Sequence, residues 1–98
     1  MSFVATILER CEAAGSRPVL YEVRGPELVG ESGRALLAKV ARARGLLRAS
    51  GIVPGDRVAL LGNNSASWVA IDLAILAEGA ICVPLYARQA SQELAWRA

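Results

Sequence analysis

Between Gly51 and Tyr86 the chain reads as a turn, an apolar strand, an apolar helix and a second apolar strand. This order limits the possible folds more than any other feature of the sequence. Pro54-Gly55-Asp56 is a tight-turn sequence. Arg57-Val58-Ala59-Leu60-Leu61-Gly62 is almost continuously apolar, the pattern of a strand covered on both faces in a parallel sheet. Asn63-Asn64-Ser65 then reads as a turn and helix cap, with Asn64 or Ser65 as the capping residue. Ala66 to Glu78 is apolar nearly all round, so this helix needs burial on more than one side. Gly79 ends it, and Ile81 to Leu85 is another apolar strand. Two parallel strands joined by a helix predict a right-handed βαβ unit.

Upstream, Phe3, Ile7, Leu8, Cys11 and Ala14 recur at spacings of three and four, which predicts an amphipathic helix over Phe3 to Ala14. Ser2 is its candidate N-cap, and Gly15-Ser16-Arg17-Pro18 stops it. Val19 to Val23 has strand composition, Arg24-Gly25-Pro26-Glu27 is a turn, and Leu28 to Gly30 is a short second strand. Such a β-hairpin is marginal alone and needs something to pack against. Ser32 caps a long helix, Gly33 to Ala49, whose stripe is Leu36, Leu37, Val40, Leu47 and several alanines. Gly51 suits a left-handed helix end. Ser91 to Arg97 opens a further helix. The predicted class is α/β, with residues 1–31 as helix and hairpin and residues 32–98 as helix, βαβ unit and the start of another helix.

A helix buried on two sides and strands covered on both faces ask for more protein than 98 residues supply. The expectation is an excerpt of a larger protein, or a chain whose open faces are covered by self-association. A chain of this size buries roughly 60–70% of its unfolded surface. High apolar content and a net charge of +2 argue against disorder. That balance also gives no reason to expect nucleic acid as a partner.

The N-terminus lacks the basic start and apolar run of an export signal. No apolar run reaches the roughly 18 residues of a membrane span; Asp72 and Glu78 interrupt the longest. Cys11 and Cys82 form no CxxC pair and read as free, buried thiols of a reducing cytoplasm. There is no histidine, hence no imidazole for acid–base work or metal ligation.

Few residues carry a chemical signal. Gly62-Asn63-Asn64-Ser65-Ala66-Ser67 places small polar residues between a strand and a helix, where phosphate can bind. GxGxxG and GxxxxGK[ST] are both absent, so helix capping is the preferred reading. Arg34, Lys39, Arg42, Arg44 and Arg48 make a basic helix face, read as solvated or paired with acids outside this segment. Lys39, the only lysine, reads as a surface residue. Asp72 either meets a distant arginine or emerges at a polar gap; it shares no helical face with Glu78. Trp68 reads as core. No residue is assigned a catalytic, cofactor-binding or metal-binding role.

The wording of the segment goes further. Leu47-Arg48-Ala49-Ser50-Gly51-Ile52-Val53-Pro54-Gly55-Asp56-Arg57-Val58-Ala59 is followed by Asn64, Trp68 and Asp72-Leu73-Ala74-Ile75-Leu76, then by Gly79-Ala80-Ile81-Cys82-Val83-Pro84-Leu85-Tyr86. This resembles the N-terminal part of adenylate-forming enzymes, and most of all the long-chain fatty acid–CoA ligases. The resemblance covers Ser32 to Ala98 well and Phe3 to Gly30 loosely. One departure lies at the start of the long helix: Ser32-Gly33-Arg34-Ala35-Leu36 stands where the family often has Thr-Tyr-x-Glu-Leu.

The resemblance implies the N-terminal fragment of an acyl-CoA synthetase-like large domain. Its parent would use ATP and Mg²⁺ to make an acyl-adenylate from a fatty acid, then pass the acyl group to CoA. The family's phosphate loop, nucleotide contacts and catalytic lysine lie downstream, so none carries over to a residue here. The implied parent is cytoplasmic, with attachment at the membrane periphery compatible. Its remaining part, or a self-association partner, would cover the apolar faces. Alternatives are an aryl-CoA ligase, a fatty acyl-AMP ligase or a non-catalytic oligomeric interaction module. The isolated chain is expected to lack adenylation activity.

Overall fold

The structure is a computed structural model that describes residues 3–61 and 65–85. Its elements are α1 (Phe3–Ala14), β1 (Pro18–Arg24), β2 (Glu27–Ser32), α2 (Gly33–Ala49), β3 (Arg57–Leu61), α3 (Ala66–Ala77) and β4 (Ile81–Leu85). The proposed caps at Ser2 and Asn64 and the helix over Ser91 to Arg97 fall outside the described residues.

β1 and β2 form an antiparallel hairpin in which Tyr21 faces Gly30 and Val23 faces Leu28. Gly25, at φ +60°, supplies the left-handed residue of its two-residue turn. β2 is longer than the predicted Leu28–Gly30. Its alternation continues through Glu31, whose carboxylate meets Lys39 Nζ at 2.6 Å, so the polar residue does not end the strand.

β3 and β4 pair in parallel, with Arg57 opposite Ile81 and Leu60 opposite Pro84. α3 joins them as the βαβ unit and separates two apolar clusters. Toward α1 and α2, its Ala70, Leu73 and Ala74 meet Cys11, Leu36, Val40 and Ala43. Toward the sheet, Ile75 meets Leu60 and Ala80, with Trp68, Val58 and Cys82 packed alongside. Ala74 and Ile75 are completely buried. The small side chains of Ala43, Ala70 and Ala74 let α2 and α3 pack without bulky intrusions.

The prediction of strands covered on both faces is not met among the described residues. The side chains alternate, and only one face of the two-stranded sheet packs on α3. On the other face Ile81 is 50% exposed and Val83 39%.

Helix ends follow local chemistry. At the start of α2, the Arg17 carbonyl accepts from Gly33 N (3.1 Å) and the Gly15 carbonyl from Arg34 N (2.9 Å). Ser32 Oγ accepts from Ala35 N (3.0 Å). Three of the amides a helix start leaves open are thereby satisfied. At its end Gly51 N donates to the Arg48 carbonyl and Ile52 N to the Leu47 carbonyl, a Schellman closure, with Gly51 at φ +84°. α3 closes the same way through Gly79 and Ala80.

The departure at Gly33 has a steric cause. A Cβ there would stand 2.1 Å from the Cys11 carbonyl oxygen, so α1 reaches α2 only over a bare backbone. Gly33→Ala is expected to cost about 1–3 kcal/mol by overpacking, a fall of several degrees in Tm. Gly45 is the control: its Cβ would meet nothing within 4 Å, so Gly45→Ala is expected to raise Tm through helix propensity. Thermal unfolding of the two variants checks this; equal shifts would contradict the close approach.

Candidate functional site

The strand-to-helix junction before α3 is the position where this fold type most readily binds an anion. Here the chain's own groups occupy it. Ser65 Oγ accepts from Trp68 N at 3.1 Å, which confirms Ser65 as the cap. Glu22 Oε1, from β1, accepts from Ala66 N at 2.8 Å. Glu22 also pairs with Arg24. A fixed carboxylate at this helix start disfavours a phosphate on the Ala66 amide. The hydrogen bond from Ala66, then Arg24, hold the Glu22 carboxyl below its ordinary value of 4.5.

On the basic face of α2, Lys39, Arg44 and Arg48 are paired within the described residues, whereas Arg34 and Arg42 are exposed as expected of a solvated face. Arg44 Nε donates to Glu78 Oε2 at 2.5 Å. Arg48 donates to both carboxylate oxygens, at 2.7 Å from Nε and 3.0 Å from Nη2. Glu78 is the C-cap of α3, so this cluster ties the ends of two helices together. Arg48 first, then Arg44, lower the Glu78 carboxyl from 4.5. Lys39 is half-buried and paired with Glu31, not a free surface residue.

Asp72 emerges beside Cys82 and pairs with its thiol. Burial first, then that carboxylate, push Cys82 up to about 11, which keeps it protonated and unreactive near neutral pH. Cys82 is half-buried, not fully buried as expected; Cys11 is buried, and burial raises its thiol too. Trp68 packs on the Leu60–Ile75–Ala80 cluster, so it is a core residue and not a stacking platform. Among the described residues no group of three or more Cys, Asp or Glu could hold a metal. No helix among them is long and apolar enough to cross a membrane.

The AMP-binding enzyme family matches residues 8–98. The chain belongs to this family. The chain is 38% identical over 56 residues to the long-chain-fatty-acid–CoA ligase FadD15 of Mycobacterium tuberculosis, covering 57% of this chain and 9% of that one. It is 38% identical over 92 residues to a feruloyl-CoA synthase of Amycolatopsis sp, covering 87% of this chain and 19% of that one. It thus spans less than a fifth of the curated relatives it matches.

Among solved structures, it superposes on the N-terminal domain of FACL13 from Mycobacterium tuberculosis with a TM-score of 0.75 at 27% identity, covering 96% of this chain and 23% of that one. A fatty acid AMP ligase from Legionella pneumophila shares the fold, with a TM-score of 0.83 at 24% identity over 98% of this chain and 17% of that one. The fold class is therefore α/β, that of the N-terminal part of acyl-CoA synthetase-like enzymes.

The two lowered carboxyls make a prediction for pH. Each is more acidic when folded, so its contribution is fully present above about pH 4.5 and is lost as pH falls through the folded value. Stability is expected to drop below pH 4.5. Glu22→Gln and Glu78→Gln should each lower Tm at pH 7 and flatten the acid limb of the Tm–pH curve. An unchanged limb in both would show that these contacts carry no energy.

Proposed function

We propose that this chain is the N-terminal structural segment of an ATP-dependent acid–thiol ligase. In this reading the parent protein converts a long-chain fatty acid to an acyl-adenylate with ATP and Mg²⁺ and transfers the acyl group to CoA in the cytoplasm. Residues 1–98 are then a partial N-terminal subdomain, with residues 1–31 as helix and hairpin and residues 32–98 carrying the βαβ unit. The observation that carries the reading is the family match over residues 8–98 of a chain that spans only 9–19% of curated acyl-CoA ligase relatives.

The segment's part in this is structural. It supplies strands, a buried helix and internally satisfied caps, while charge neutralisation of ATP is left to residues outside it. An aromatic acid is the second reading. The feruloyl-CoA synthase match extends over 87% of this chain, against 57% for the long-chain ligase at the same identity.

Acid-dependent ATP–pyrophosphate exchange tests both. The purified 98-residue chain should show none with palmitate or ferulate. The complete gene product that carries the segment should exchange with palmitate. Exchange by the short chain would refute the structural role; exchange by the complete protein with ferulate alone would replace the fatty acid with an aromatic one.

A further inference from the structure

We draw no further inference here: the strongest candidate, the exposed apolar face of the β1–β2 hairpin formed by Tyr21, Val23 and Leu28, is an unpartnered sheet face, and nothing in the structure shows what covers it.

Discussion

The packing of this fold depends on α3 being apolar on two sides at once. A helix with one apolar stripe covers one neighbour. α3 instead presents Ala70, Leu73 and Ala74 to the helices and Ile75 to the sheet, so both clusters of the core share it. Each large aliphatic side chain buried in this way stabilises the fold by roughly 1.5–3 kcal/mol. Without α3, the hairpin and the parallel strand pair are two-stranded sheets, a size that is marginal in water. α2 would also lose the partner for its buried Val40 and Ala43.

The polar contacts fasten the other elements to that helix. Glu22 holds the hairpin to its first turn, and Glu78 holds the end of α2 to its last. Both carboxylates face donors that a helix end or a basic helix face would otherwise leave to solvent. These are structural uses of groups that, in another setting, would suggest chemistry. Cys82 follows the same rule: a thiol held protonated by burial and a neighbouring carboxylate serves packing.

Local features were legible in the sequence because their causes are local. Ser32 and Ser65 cap helices within three residues of themselves, and Gly51 and Gly79 close them in the left-handed conformation. The apolar runs at Arg57–Leu61 and Ile81–Leu85 pair in parallel as expected. What stayed hidden depends on distant partners. Glu22 meets Ala66 from 44 residues away, and Glu78 meets Arg44 across 34. No spacing rule encodes either contact. Gly33 looked like a departure from a family pattern, and only the approach of the Cys11 backbone explains it. The continuous apolar run of β3 suggested two covered faces, whereas among the described residues the two-stranded sheet is covered on one.

Native-state hydrogen exchange tests the central role of α3 most directly. The account predicts that the amides around Leu73 to Ala77 exchange slowest in the chain, through global unfolding alone. α1 and the β1–β2 hairpin should open earlier, at lower free energy. If the α3 amides exchange as fast as those of the hairpin, or if α1 and α2 stay protected after α3 has exchanged, then α3 is not the element that holds this fold together.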